Sequence, residues 1–86
     1  MAPGAIQRDQ GSEAALAGSA CRAGRALLKW SVLDLAREAK VSPNTIVKLE
    51  NGGAIRQRSA MRIRARFARD GVELLEEPTP GARLRH

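Results

Sequence analysis

The sequence predicts a small, mainly α-helical domain of four helices with a short C-terminal β-hairpin. The chain has 86 residues, which is enough for one domain. Apolar residues recur at helical spacing between about residues 19 and 70, and after Gly71 the spacing changes to two. Such a short chain buries only about 60% of the surface that its unfolded form exposes, so a compact helical core is expected. We assign residues 1–18 to a flexible N-terminal tail, 19–71 to the helical domain and 72–86 to the hairpin.

The first predicted helix starts at Ser19 and carries basic residues between its apolar positions. Its apolar positions fall near one face and are Cys21, Ala23, Ala26, Leu27 and Trp30. Cys21 is expected to be a small core residue, and Trp30 to pack where the first two helices meet.

Two short helices follow, and each is opened by a serine. Ser31 is a good N-cap for a helix over 32–39, and Asp34 three residues later completes a capping box. Ser42 caps the next helix, which ends at about residue 51. Their inward residues are expected to be Leu35, Ala36, Ile46 and Leu49.

The fourth predicted helix runs from about Ser59 to Asp70 and buries Ala60, Ile63 and Phe67. Its opposite side carries an arginine stripe that is expected to be solvated, formed by Arg58, Arg62, Arg66 and Arg69. The hairpin pairs residues 72–75 with 82–85 around a turn at 78–81. In it, the charges of Glu73 and Glu76 are expected to oppose those of Arg83 and Arg85.

Charge and composition restrict the possible functions. The net charge is +6, and residues 18–69 alone hold twelve Lys or Arg against three Asp or Glu. A segment this basic attracts polyanions. One cysteine and one histidine exclude an internal disulfide and a structural zinc site, which fits a reducing compartment. With no long apolar run and no signal-peptide pattern, we expect a cytoplasmic protein without membrane contact.

Two short capped helices joined by a tight turn are typical of a helix-turn-helix. The second of them should expose Pro43, Asn44, Val47 and Lys48 on the side away from the core. Asparagine can bond adenine with two hydrogen bonds, and lysine can reach guanine acceptors or a phosphate. An ordinary capped surface helix is the alternative interpretation at this point.

The residues between Arg22 and Gly52 resemble the phage-repressor/Cro-like, or XRE, helix-turn-helix family. The matching positions are Arg25, Leu35, Ala36, Val41, Ser42, Ile46, Leu49, Glu50, Asn51 and Gly52. The tail, with Gly71-Val72-Glu73-Leu74 and later Arg83-Leu84-Arg85, is similar to a compact bacterial subset that ends in a hairpin. The resemblance implies a four-helix, phage-repressor-like DNA-binding fold over 19–71.

The resemblance also implies roles for individual residues. Arg25 and Glu50 match an ion pair that bridges the first and third helices. The base-reading positions are Pro43, Asn44, Val47 and Lys48. We assign phosphate contacts to Ser31, Lys40, Ser42, Thr45, Asn51, Arg56 and Arg58. Dimerisation is expected at the hairpin, through Val72, Leu74, Leu75 and Leu84.

Three positions depart from the family pattern. Lys40 stands in the turn between the two helices where the family usually has glycine. Val32 replaces a glutamine that bonds a phosphate, and Pro43 offers no donor to a base. These departures leave Asn44 and Lys48 as the main readers of sequence.

We therefore expect a repressor-type transcription regulator that binds double-stranded DNA sequence-specifically as a homodimer. No catalytic set of side chains can be assembled, so we expect neither an enzyme nor a cofactor, metal or small-molecule ligand. The alternative is a protein-interaction module of the same fold, such as an antiactivator or antitoxin that docks on a larger regulator.

Overall fold

The structure, a computed structural model, describes residues 16–75 and 79–85. The helices are α1 (Gly18–Leu28), α2 (Val32–Ala39), α3 (Pro43–Glu50) and α4 (Gln57–Arg69), and the strands are β1 (Val72–Leu75) and β2 (Gly81–Leu84). This order confirms the predicted fold class. Leu16 is only 3% exposed and lies in the core, so the last residues assigned to the tail belong to the folded domain. The rest of the predicted tail, residues 1–15, lies outside the described residues.

Both helices that precede a tight turn end at a lysine with left-handed backbone conformation. Lys29 has φ 59° and Lys40 has φ 61°. The next amide closes each turn, since Trp30 N donates to Arg25 O at 2.9 Å and Val41 N donates to Ala36 O at 3.0 Å. A left-handed lysine costs on the order of 1–2 kcal/mol relative to the right-handed conformation. The turn before α3 thus keeps its shape without glycine, at a cost in backbone strain.

The helix starts follow local chemistry. In α2 the capping box is complete, because Asp34 N donates to Ser31 Oγ at 3.0 Å and Ser31 N donates to Asp34 Oδ2 at 2.9 Å. By contrast, α4 begins at Gln57, two residues before the predicted Ser59, and has no side-chain cap. Ile55 and Ala60 flank this start and are both buried, which is the spacing of a hydrophobic staple. Apolar burial therefore sets the beginning of α4.

The buried face of α1 differs from the predicted one. Ala20, Cys21 and Gly24 are buried, whereas Ala26 and Leu27 are exposed. A Cβ at position 24 would lie 2.9 Å from the ring of Phe67. The Phe67 ring therefore packs against the face of α1 that carries Gly24, where no side chain stands in its way.

The hairpin packs against α1 and α4. Val72 pairs with Leu84 and Leu74 with Ala82, so β2 lies one residue earlier than predicted. On the other face, Arg83 Nε donates to Glu73 Oε1 at 2.8 Å. The predicted partner position at 76 lies outside the described residues.

Two expectations are corrected by this packing. Val72 is 2% exposed in the domain's own core, so it cannot form a dimer surface as predicted. Arg66 does not belong to a solvated stripe, because it forms ion pairs with Glu38 and Asp70, each at 3.1 Å. Its guanidinium also lies 5.8 Å from the centre of the Trp30 ring.

Candidate nucleic-acid interface

The third helix, α3, has one face buried in the core and one face exposed to solvent. Ile46 and Leu49 are buried in the core. The exposed residues are the four predicted base readers, Pro43, Asn44, Val47 and Lys48. Ser42 starts the helix, because its Oγ accepts from Asn44 N at 3.1 Å, and Pro43 occupies the first helical position. The backbone is therefore fixed while the side-chain amide of Asn44 stays unused by the described residues.

A partly buried ion pair holds the C-terminal end of α3 against α1. Arg25 donates from Nε and Nη2 to the two carboxylate oxygens of Glu50, at 2.8 and 2.7 Å. The side chains are 17% and 5% exposed. Arg25 Nη1 also donates to Trp30 O at 3.1 Å, which ties the pair to the end of α1. A forked contact of this kind fixes an angle as well as a distance, so it orients α3.

Two further groups of α1 reach the same end of α3. Arg22 Nε lies 3.6 Å from Glu50 Oε1, and Arg22 Nη2 donates to Glu50 O at 3.2 Å. The buried thiol of Cys21 is hydrogen-bonded to the same carboxylate. The carboxylate of Glu50 is thus fully engaged in the scaffold.

The pKa values of these groups follow from burial and pairing. Burial acts to raise the pKa of Glu50, but the hydrogen bonds from Arg25 and Cys21 and the nearby guanidinium charges outweigh it, and the pKa lies below its ordinary value. The hydrogen bond to Glu50 raises the pKa of Arg25. Burial, with the Glu50 carboxylate beside it, raises the pKa of Cys21 well above that of a free thiol. Cys21 is consequently an unreactive core residue.

Two glycines support the interface, and sequence spacing alone did not single out their roles. A Cβ on residue 18 would lie 2.2 Å from Leu49 O, so Gly18 lets α1 approach the end of α3. A Cβ on residue 53 would lie 2.7 Å from Lys48 Cγ, so Gly53 leaves room for the lysine stem. The Gly18 contact joins residues far apart in the chain and forms only after folding, whereas the Gly53 contact is local to the end of α3.

A polar groove lies beside the exposed face of α3, where the following loop enters α4. Its lining residues are Thr45, Lys48, Ala54, Ile55, Arg56 and Ser59. The first turn of α4 has no side-chain cap, so its N–H groups remain available there. Two cationic side chains and a helix N-terminus together suit a phosphate.

The structure brings some of the predicted phosphate residues into this groove and leaves others elsewhere. Thr45, Lys48 and Arg56 line it. Ser31 opens α2, where its hydroxyl caps the helix, and Lys40 and Ser42 lie in the exposed turn between α2 and α3. Asn51 ends α3 and Arg58 lies in the first turn of α4, both exposed. Val32, at the position of the family glutamine, packs against the core.

Within residues 16–75 and 79–85, no group of three or more His, Cys, Asp or Glu could hold a metal ion. No helix in that part of the chain is long and apolar enough to cross a membrane.

Comparison with known families agrees with this geometry. Residues 22–74, more than half of the chain, match the family described as helix-turn-helix, of the XRE type. No curated protein matches the chain. The match begins within α1, ends within β1 and includes every residue of α3. The family consists of DNA-binding regulators and is not an enzyme family. The chain therefore belongs to the XRE-type helix-turn-helix family of DNA-binding regulators.

Proposed function

We propose that this chain is a sequence-specific transcription regulator of the repressor type, which inserts residues 42–51 into the major groove of double-stranded DNA. One observation carries the proposal. The outward residues of α3 are exposed, while its inner face and both ends are fixed by Ser42, the core and the Arg25–Glu50 pair. The major groove is about 12 Å wide and admits a helix held in this way.

The side chains on that face suit base recognition. The amide of Asn44 carries both a donor and an acceptor, which matches the major-groove edge of adenine. Lys48, whose stem passes Gly53, can reach guanine acceptors or a phosphate. Val47 offers an apolar contact to a thymine methyl group, and Pro43 contributes shape alone. We expect modest sequence specificity carried mainly by Asn44 and Lys48.

Backbone contacts would position this helix. Lys48, Arg56 and the free first turn of α4 surround one groove, which suits a phosphate in the strand that borders the major groove. Arg58 follows in the same turn and makes no ion pair with a described residue. Lys40 adds a cation at the α2–α3 turn.

The direct test is fluorescence anisotropy with purified full-length chain and duplex DNA from its own upstream region. A scrambled duplex is the control, and both are titrated over a series of salt concentrations. We expect a preference of about a thousandfold for the native duplex near physiological salt. Equal binding to both duplexes that disappears with added salt would contradict specific recognition and leave only charge attraction.

We further propose that the chain binds as a homodimer through its hairpin. Leu84 is 41% exposed, and Leu74 and Leu75 are half-buried, so the two-stranded sheet offers an apolar edge. Two copies would read half-sites about 34 Å apart, one turn of DNA. In sedimentation experiments, Leu84→Lys should convert dimer into monomer. An unchanged sedimentation coefficient would place the dimer contact elsewhere.

The alternative is a module that docks on a larger regulator in place of DNA. Leu33 on α2 is 63% exposed, and Val32 stands where the family has a glutamine that bonds a phosphate. Both observations favour this alternative. A pull-down with and without nuclease distinguishes the two functions. A stoichiometric protein that survives nuclease and competes with duplex DNA would favour the module, and specific duplex binding without any partner would oppose it.

A further inference from the structure

The side of α4 that faces away from the core forms a continuous exposed strip. It consists of Arg58, Met61, Arg62, Ala65 and Arg69, and we call it the α4 strip. All five are exposed and lie on the side opposite the buried Ala60, Ile63 and Phe67, and Arg69 is the last of them along the helix. Two shallow grooves run along it and share Arg62 and Ala65. The strip is therefore one surface that spans the helix.

The centre of the strip is apolar. Met61 is 60% exposed, and Ala65 lies one turn further along the helix and is also exposed. Methionine is flexible and fills irregular gaps, which makes it common at binding surfaces. Methionine and arginine are enriched at protein–protein interfaces, whereas lysine is depleted. A methionine between arginines thus has the composition of a protein-binding surface.

The charges of the strip are uncompensated. Arg58 and Arg69 form no ion pair with any described residue, and Arg62 donates only to the backbone oxygen of Lys40, at 3.0 Å. Glu38 borders one groove, but Arg66 holds it at 3.1 Å. A second copy of this chain would set arginine against arginine, so the complementary partner is acidic.

Arg58 is shared with the proposed DNA surface, but position along α4 separates the rest of the strip from it. Arg58 lies in the first turn beside the phosphate groove, and Arg69 lies eleven residues later, about 16 Å along the helix axis. A phosphate backbone could use Arg58, but an exposed methionine midway adds nothing to phosphate binding. The composition therefore favours a protein over nucleic acid.

We propose that the α4 strip docks an acidic amphipathic helix of a protein partner, with Met61 and Ala65 receiving its apolar residues and Arg62 and Arg69 pairing with its carboxylates. The inference goes beyond DNA recognition, because this partner binds while α3 occupies the major groove. It differs from the alternative module above, which competes with DNA.

The test uses the full chain and a fluorescein-labelled synthetic helix of about five turns. One face of the peptide carries leucine and alanine flanked by glutamates spaced to match the arginines, and a matched peptide has glutamine in place of glutamate. We expect the acidic peptide to bind about tenfold more tightly than the glutamine peptide. Arg69→Glu and Met61→Ser should each weaken its binding about five- to tenfold.

Two control variants match these changes away from the strip. Arg85→Glu makes the same charge change on the hairpin, and Leu27→Ser removes an exposed apolar side chain from α1. Both should leave peptide binding unchanged. A saturating duplex should not displace the peptide, and circular dichroism should show each variant folded. Met61→Gln replaces Met61→Ser if that variant is unfolded.

Three results would overturn the proposal. The two peptides could bind equally, or the control variants could lose as much affinity as the strip variants. Finally, duplex DNA could displace the peptide, and Met61→Ser and Arg69→Glu could weaken duplex binding as much as peptide binding. That result would show that the strip binds DNA. The competition experiment can use any duplex. A failure of the strip proposal is therefore independent of whether the chain recognises its native operator.

Discussion

The junction between α1 and α3 and the exposed surface formed by α3 and the start of α4 are built from similar residues used in opposite ways. At the junction, the charges of Arg25 and Glu50 meet in a partly buried forked pair. At the surface, Lys48 and Arg56 line an open groove and form no ion pair within the described part of the chain. At the junction the charges pair with each other and orient α3, whereas at the surface the charges stay unpaired and could contact a ligand.

Substitutions in the two regions should therefore have different effects. Removing a charge at the junction leaves its partner unpaired and mostly shielded from water, which costs stability. Removing a charge at the surface leaves the fold unchanged, because no described partner loses a contact, and costs affinity alone. Stability and DNA affinity measured on the same variants therefore test the comparison directly.

Glu50→Ala should have the largest effect on the junction. It leaves Arg25 without its carboxylate at a site where that guanidinium is mostly buried, so we expect a loss of about 3 kcal/mol in the free energy of unfolding. Urea unfolding followed by circular dichroism measures it. The control Glu73→Ala removes the exposed pair with Arg83 and should cost under about 1 kcal/mol. Equal losses would show that the junction is no different from a surface pair.

Gly18→Ala should be the next largest change. The new Cβ would lie 2.2 Å from Leu49 O, so α1 and the end of α3 must move apart, at a cost of about 2 kcal/mol. Gly81→Ala, where a Cβ meets nothing within 4 Å, is the control. The same urea experiment compares them, and a Gly18→Ala variant as stable as the parent would rule out the close contact.

On the surface, Asn44→Ala and Arg58→Ala should both leave stability unchanged but alter DNA binding differently. Asn44→Ala should reduce the preference for the native duplex about tenfold, because a base contact is lost. Arg58→Ala should weaken binding to all duplexes and lower the salt slope by about 1. Anisotropy at several salt concentrations separates these effects. If both variants bound like the parent, the assignment of base and phosphate contacts would be wrong.

Acid should weaken the junction through Glu50, with a smaller effect than removal of the side chain. The pKa of Glu50 is lowered in the folded chain, so its stabilisation is fully present above the unfolded value of about 4.3 and is lost as the pH falls through the folded pKa. The free energy of unfolding should drop below about pH 4 in the parent and less steeply in Glu50→Gln. Urea unfolding between about pH 2 and pH 7 measures this. Identical pH profiles would contradict the assignment.

Lys40→Gly should produce the smallest change and compares the two left-handed lysines. Glycine relieves the backbone strain at φ 61°, but it also raises the conformational entropy of the unfolded chain, which offsets part of the gain. The free energy of unfolding should therefore rise by under about 1 kcal/mol. Lys29→Gly, at φ 59°, should do the same. Only Lys40→Gly should weaken duplex binding, because only Lys40 adjoins the proposed DNA surface. Equal duplex affinities of the two variants would remove Lys40 from the phosphate contacts.

Much of the helical frame could be predicted because its signals are local. Ser31 with Asp34, and Ser42 with Pro43, define helix starts within four residues, and the structure has α2 and α3 begin where these signals place them. The helix α4 begins two residues before the predicted Ser59. Its start depends on the burial of Ile55 and Ala60 and has no polar side-chain cap that the sequence could show. The predicted face of α1 was right for Cys21 and Trp30 but wrong for Ala26 and Leu27, which are exposed. The buried face includes Gly24, which packs under Phe67, and helical spacing counts glycine as neutral.

The order of helices and strands, the basic character of the domain and the set of exposed side chains on α3 could be read from the sequence, because capping, periodicity and charge are properties of neighbouring residues. Which charges remain unpaired depends on the folded structure. Arg66 resembles Arg62 and Arg69 in the sequence, yet it alone lies between Glu38, Asp70 and the ring of Trp30. Which arginine forms ion pairs depends on contacts between residues far apart in the chain, and those contacts form only when the core has packed.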